Sequence, residues 1–436
     1  MANRNLSLRR MLLASSAFAA GSFALAAPAI AGPAGGSVVA GTATIDGSAG
    51  ATVINQTSHG AIINWRGFDV GAGESVRFNQ PDASAVTLNR VLAMDPSRID
   101  GSITANGRIF IINPNGVLFG AGARVQVGGL VVTTADIDDA NFMAGRYSFN
   151  RASSNASARV VNEGTISIAD TGLAALVAPS VINRGTITAR LGAVTLGGHS
   201  TFTIDLAGDG LIAFDTGAAA PVSGAVSNEG KVIADGGMVR LDAAAASGVV
   251  GGVIDMSGVV QARTIGRHEG RIVLSGGAIT VSGTLDASAS QSLVDAEITP
   301  GAVIRRSDRH DDRGVLSVDS IDGSSTRGAP DSPSLAGANG GTILIGGDRG
   351  GAGPDRDAST NVIAESAVIR TDGFGPGSGG TVIAWADGST RFDGTISARG
   401  GAAGGAGGFV ETSGHESLSV TTGRVDASGP AAREPG

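Results

Sequence analysis

The chain has 436 residues, 70 of them glycine, with 42% hydrophobic, 4% aromatic and 16% charged residues and a formal net charge of −8. Glycine is roughly twice its usual share and charge is well below it. Collagen is excluded because glycine keeps no three-residue period, and wholesale disorder because the chain is too apolar for its charge. The 31 basic residues form no tract long enough to neutralise a phosphate backbone, so no nucleic-acid partner is expected.

The first element in chain order is an export signal. Arg4, Arg9 and Arg10 precede an apolar run from Met11 to Ala27, and Ala29-Ile30-Ala31 closes it with the small-x-small pattern that signal peptidase accepts. Cleavage after Ala31 is expected. A membrane anchor would need about 20 firmly apolar residues, and Ser15, Ser16, Gly21 and Ser22 dilute this run. Leu8 and Met11-Leu12-Leu13 fit a twin-arginine signal poorly, so export in the unfolded state is favoured. Zero cysteines suit that route, because no disulfide constrains the chain.

Beyond residue 150 a phrase recurs: Asn162-Glu-Gly-Thr-Ile166, Asn183-Arg-Gly-Thr-Ile187, Asn228-Glu-Gly-Lys-Val232, then Ser257-Gly-Val-Val260, Ser282-Gly-Thr-Leu285 and Asp393-Gly-Thr-Ile396. A second phrase interleaves with it at Gly192–Leu196, Gly237–Leu241, Gly270–Leu274, Gly341–Ile345, Gly380–Ala384 and Gly408–Thr412. Each is a turn followed by a short strand with period-two alternation. A unit of about 20 residues is a solenoid period, and the leucine-asparagine consensus of leucine-rich repeats is missing. The pattern predicts an all-β fold, a right-handed parallel β-helix whose coils bury one side chain in two. Small aliphatics fill its narrow interior, and glycine and asparagine turn its corners. The wider gap between Asn183 and Asn228 is close to two further units, and about 400 mature residues at one coil per 20 or so predict about 20 coils rising about 4.8 Å each, a rod near 100 Å long.

Three regions break the rhythm. Residues 136 to 158, with Phe142, Tyr147 and Phe149, are expected to pack outside the coils. The charged stretch Arg305 to Arg313 and residues 322 to 340 are expected to be loops. The expected organisation is a signal peptide (1–31), an N-terminal domain with cap and first coils (32–150), repeats (151–290), a loop-rich insertion (291–340), further coils (341–428) and a tail (429–436).

The segment from residue 54 to 134 carries an identity. Its words are Ile63-Asn64-Trp65, Phe78-Asn79-Gln80-Pro81, Leu88-Asn89-Arg90-Val91, Ala105-Asn106-Gly107 and Ile112-Asn113-Pro114-Asn115-Gly116-Val117. In order and spacing it resembles the secretion domain of two-partner-secretion exoproteins of the filamentous-haemagglutinin type, and the likeness runs from about residue 36 to about 428. The resemblance implies recognition in the periplasm by a dedicated outer-membrane β-barrel transporter and folding as a β-helix outside. It marks Asn64, Trp65, Gln80, Pro81, Asn89, Arg90, Asn106 and Gly107 as secretion-domain positions and Asn113 to Gly116 as the secretion motif. Physically Asn-Pro-Asn-Gly is a turn, with Pro114 fixing φ and Gly116 free to take positive φ. Asn113 and Asn115 are therefore expected mainly to stabilise a coil corner. The Asn-Pro-Asn-Leu motif of some family members is absent, which puts carry-over of their transporter contacts in doubt.

Other sites are expected to be structural. Asp136, Asp138 and Asp139 are the only tight acidic trio before residue 300. His59, His199, His268, His310 and His415 stand far apart, so they are expected mostly at the surface and bind no metal. Gly346-Gly347-Asp348 to Asp357 reads as a loop rather than a calcium repeat. Trp65, Phe68 and Phe78 are expected to cap the first coil. No cofactor is implied. The expected product is a secreted or surface-displayed, non-enzymatic adhesin or haemagglutinin-like factor whose ligand lies on a host, a glycan or a neighbouring cell. Its rivals are a haem- or haem-carrier-binding exoprotein and a β-helical polysaccharide lyase or hydrolase. In related exoproteins Glu411-Thr412-Ser413-Gly414 tends to lead into a long continuation, so a compact member, a truncated gene and a fragment are all compatible with the sequence.

Overall fold

The computed structural model describes residues 32–48, 50–206, 212–214, 225–243, 252–290, 337–353 and 356–430. The expected signal segment with Ala29 and Ala31, the charged stretch at Arg305 to Arg313, His310 and most of the expected 291–340 insertion lie outside these residues. Ala31–Gly436 is one compact unit.

The chain forms a right-handed parallel β-helix. One face is a 13-stranded sheet running from Ala43–Ser48 to Arg424–Asp426, parallel throughout except for its first pair. The other two faces belong to a 21-stranded sheet. On the 13-stranded face one interior column runs in register through Val76, Ile103, Val125, Ile166, Ile187, Val232, Val260, Leu285, Ile369 and Ile396. All ten are buried in one continuous core. Their neighbours along the strands, such as Arg124, Gln126 and Lys231, are exposed. The period-two pattern is thus the imprint of a stack that hides alternate side chains.

The glycine-led phrases fall on consecutive rungs, and so does the other series up to Ser282–Leu285, with the Asp393–Ile396 phrase two rungs further on. The glycine-led phrases align Ala193, Met238, Arg271, Thr342, Thr381 and Phe409. The asparagine-led phrases align Asn162, Asn183 and Asn228, whose side chains form a buried ladder. Asn162 Nδ2 donates to Asn183 Oδ1 at 2.8 Å, and Asn183 Nδ2 donates to Asn228 Oδ1 at 2.7 Å. Outside it, Arg184 bridges Glu163 at 3.5 Å and Glu229 at 3.1 Å. Further along, Asp170–Arg190, Asp235–Arg263 and Asp372–Arg399 pair acid with base. The exposed pairs among these add little stability, Asp235 being the buried exception, but alternation of sign penalises a slipped rung.

The ladder corrects the coil count. Asn162 and Asn183 are 21 residues apart and Asn183 and Asn228 are 45, yet each pair is one rung apart. The longer gap is one coil carrying an excursion, not two coils. The widest gap is 84 residues, between Ser282 and Ser366, and is again one rung. Among the described residues the 13-stranded sheet holds twelve parallel rungs where about 20 were expected, a stack of roughly 50 Å at about 4.8 Å per step.

The excursions build an outer layer. Asp138 caps a short helix, Asp139–Met143, through the amides of Ala140 and Asn141. Tyr147–Phe149, Phe202–Ile204 and Ile212–Phe214 form a separate three-stranded antiparallel sheet. It packs on outward-facing Ile62, Leu88, Phe110, Val131, Ala175 and Val177 as a second core. Phe149 stacks on Phe202 at 4.5 Å, and Phe110 meets Tyr147 edge-on at 5.3 Å. Residues 136 to 158 do pack outside the coils, and strands covered on both faces lose their alternation, as in fully buried Leu173–Ala178.

Candidate secretion-motif site

The first coils are closed by backbone. Ser37–Ala40 lies antiparallel on Gly60–Trp65, and Ala43–Ser48 lies antiparallel on Ala51–Gln56. This pairing removes the open edge that a parallel stack would present. Trp65, Phe68 and Phe78 are buried beneath it in the main core, Trp65 meeting Phe68 edge-on at 5.5 Å. A Cβ on Gly36 would sit 2.5 Å from the Trp65 ring, so the cap segment crosses directly over the indole.

The secretion-domain words are mostly polar groups turned inward. Trp65 Nε1 donates to Asn89 Oδ1 at 3.0 Å, and Asn89 Nδ2 donates to the Phe110 carbonyl at 3.2 Å. Gln80 is the hub of a second network. Its Nε2 donates to Thr87 Oγ1 and to the Ala85 and Arg108 carbonyls, and its Oε1 accepts from the Gly107 amide at 2.9 Å. Thr87 Oγ1 passes the chain on to Gln56 Oε1 at 2.5 Å. Asn106, itself exposed, exchanges two hydrogen bonds of 2.8 Å with the Gln80 backbone. Gly107 has to be glycine here, since a Cβ would stand 2.7 Å from both Gln80 Oε1 and the Ala85 carbonyl. Pro81 is exposed and Asn64 half-buried. Gln56 and Thr87 escaped the sequence reading because only the register shows that those strand positions face inward.

Arg90 does a different job. Its guanidinium donates to Asp136 at 2.9 Å and to the Ile137 carbonyl at 2.8 Å, and pairs with Asp139 at 2.7 Å. Arg151 holds Asp138 at 2.8 Å. Asp136 and Asp139 are thus spent on clamping the outer layer to Arg90 of the coils, and Asp138 on contacts within that layer.

Asn113 to Gly116 form a coil corner. The Gly116 amide donates to the Asn113 carbonyl at 2.9 Å, closing the turn, with Gly116 at φ +111°. A Cβ on Gly116 would lie 2.5 Å from the Arg159 carbonyl of the next coil. Asn113 is fully buried, accepting from the Asn115 amide at 2.9 Å and donating to the Asp95 carbonyl at 3.1 Å and to Ser97 Oγ at 3.0 Å. Asn115 Nδ2 donates to the Ala93 carbonyl at 2.9 Å.

A family model, the TPS secretion domain, matches residues 29–287. The chain belongs to the TPS secretion-domain family. The secretion domain of HMW1 from Haemophilus influenzae is similar at 26% identity with a TM-score of 0.66, over 91% of this chain and 99% of that one. A heme/hemopexin-binding protein of H. influenzae strain Rd is 31% identical over 270 residues, 60% of this chain and 29% of the relative. A second H. influenzae protein of that name is 39% identical over 127 residues, 29% of this chain and 14% of the relative. The chain spans under a third of the length of these curated relatives.

Three of the four described histidines are exposed, and one is not. His59, His268 and His415 are exposed, but His199 is buried, with Nε2 2.7 Å from Asp242 Oδ1 and its ring stacked on Phe214 at 3.9 Å. Arg240 bonds the other Asp242 oxygen at 2.6 Å. Burial pushes the Asp242 carboxyl up, but the hydrogen bond and charge of His199, with Arg240, outweigh it and hold the carboxyl below its ordinary range. The cluster ties the Ile212–Phe214 strand to the solenoid. No group of three or more His, Cys, Asp or Glu among the described residues could hold a metal ion. Arg349–Gly351 within the glycine-aspartate segment is a 3-10 turn.

Proposed function

We propose that this chain is an exoprotein carried through the outer membrane by a partner β-barrel transporter that recognises the N-terminal part of the solenoid. Residues 1–31 serve as its signal peptide, cleaved after Ala31. The observation that carries the reading is the TPS secretion-domain match over residues 29–287, joined by the HMW1 domain likeness over nearly the whole chain. Asn113 and Asn115 act through the corner they hold, since their side chains are spent on neighbouring backbone and Ser97. Outside the cell the protein is a non-enzymatic adhesin or haemagglutinin-like factor, which the exposed polar rows of the 13-stranded face suit. The names of the curated relatives favour a second reading, binding of haem or a haem carrier.

Co-expression with and without the transporter, followed by assay of medium and intact-cell surface, tests export. Transporter-dependent appearance that drops on replacing Asn113 and Asn115 by alanine is the expected result, and equal release without a transporter refutes it. Haem titration of the mature protein decides the second reading, a specific Soret shift at one equivalent supporting it and none removing it.

A further inference from the structure

The chain holds three Asn-Gly pairs: Asn106-Gly107, Asn115-Gly116 and Asn339-Gly340. In a mobile chain such a pair is chemically unstable. Glycine has no Cβ to shield its amide or to restrict its φ, so the deprotonated glycine nitrogen can reach the asparagine Cγ. The new N–C bond closes a five-membered succinimide, the bond from Cγ to Nδ2 breaks, and the leaving nitrogen takes up a proton and departs as ammonia. Water then opens either succinimide carbonyl, giving aspartate or isoaspartate.

Folding holds all three pairs by hydrogen bonds rather than by excluding water, since Asn106 and Asn339 are exposed. The Gly107 amide donates to Gln80 Oε1 at 2.9 Å, and Asn106 engages the Gln80 backbone through both side-chain polar atoms. The Gly116 amide donates to the Asn113 carbonyl, and Asn115 Nδ2 donates to the Ala93 carbonyl. The Gly340 amide donates to the Ser378 carbonyl at 2.9 Å, and Asn339 Oδ1 accepts from the Ser378 amide at 2.9 Å. Every one of these glycine nitrogens is committed as a donor, and every asparagine side chain is tied to a residue outside its own pair.

The products differ in what they lose. Asn106 and Asn115 each spend Nδ2 on a carbonyl, and an aspartate would turn a carboxylate oxygen toward that carbonyl instead. Asn339 is held through Oδ1, which aspartate keeps. Isoaspartate adds a methylene to the backbone next to Gly107 and Gly116, where even a Cβ would stand 2.7 and 2.5 Å from a neighbouring carbonyl. We infer that Asn106 and Asn115 are succinimide-forming modification sites that the folded coils close, so that time spent unfolded costs the chain its corners. On the export reading, the periplasm is where that time is spent.

The test ages the mature chain in one mildly alkaline buffer, folded in one arm and unfolded by guanidinium chloride in the other. Peptide mapping then quantifies aspartate and isoaspartate at each site. All three sites should change in the unfolded arm, and Asn106 and Asn115 at least about tenfold more slowly in the folded arm, where attack waits on local opening. On removal of denaturant, the fraction of chain that regains the native melting transition should fall as modification at Asn106 and Asn115 rises. Asn106→Asp and Asn115→Asp should each melt below wild type and Asn339→Asp with it, which separates a lost donor from an added charge. Equal rates in the two arms at Asn106 and Asn115, full recovery of chains modified at both, or wild-type melting of both aspartate variants overturns the inference. No arm uses the transporter, so such a result leaves the export reading standing, and a failure of export leaves these arms unchanged.

Discussion

Replacing Asn183 by alanine cuts the buried ladder at its middle. Asn183 is fully buried, and the substitution removes both the acceptor for Asn162 Nδ2 and the donor to Asn228 Oδ1. Asn162 Nδ2 keeps a long contact of 3.4 Å to the Gly164 carbonyl, and Asn228 Oδ1 is left bare. Each buried polar group stripped of its partner costs about 1–3 kcal/mol, so the variant should lose about 2–5 kcal/mol. In a solenoid each coil contacts only its neighbours, so the loss should be local. Native-state hydrogen exchange reads it directly: the amides of Arg184, Glu229 and Gly230, which bond to the Asn162 or Asn183 carbonyls, should exchange roughly 30-fold faster or more. Amides of the first coils should not change. Replacing all three asparagines with leucine leaves no orphaned ladder group and should cost less than the three single leucine variants together. Acceleration below about threefold at those amides, or strict additivity in the leucine series, would refute pairing as the source of the stability.

Gly116→Ala forces a side chain to φ +111° and against the Arg159 carbonyl; it should destabilise by at least about 1–3 kcal/mol, and an unchanged denaturation midpoint would contradict the corner geometry. Arg90→Met strips Asp136 of its closest cation and frees the outer layer, and since Asp136 keeps Arg151 at 3.7 Å and Asp139 is half exposed the loss should be about 1–3 kcal/mol. Limited proteolysis between residues 136 and 151 should accelerate while the coils stay intact, and unaltered cleavage would count against the clamp. The Asp242 carboxyl lies below its ordinary value of 3.8 in the folded chain, so its contribution is present above that pH and is lost as pH falls through the folded value. Asp242→Asn should therefore melt below wild type at pH 7, with the gap closing below about pH 4; a constant gap would show that charge plays no part.

The coils were legible because their physics repeats. A corner needs asparagine or glycine, a strand alternates, and both phrases recur in register along the stack. Rung count was not legible, since nothing local separates a 45-residue coil with an excursion from two shorter coils; only the pairing of Asn183 with Asn228 does. The burial of His199 was hidden for the same reason, because its partner Asp242 lies 43 residues away on the adjacent rung. Within the site, Asn113 and Gly116 were readable as a turn from their own chemistry. The loop they hold, residues 92–96, was not, because Leu92 and Met94 look like any apolar pair until exposure is known.

That difference separates two kinds of position. Asn89, Gln80, Gly107 and Asn113 are constrained by neighbours on adjacent coils: each either fills a hydrogen-bonding demand no water can meet or leaves space no Cβ could share. Few residue types satisfy such demands, so these positions spell recognisable words. A surface that meets a partner is under no such steric rule within the chain itself, and its composition can follow the partner. The motif by which the family is recognised and the residues by which the transporter recognises this chain need not coincide. The motif's own donors stay within the chain: Asn113 and Asn115, buried or half-buried, reach the Asp95 and Ala93 carbonyls, and the Ser97 amide reaches back to Gly116. A loss of export in an Asn113 variant should accordingly come with a lowered melting point, and lost export at wild-type stability would refute the corner as its cause.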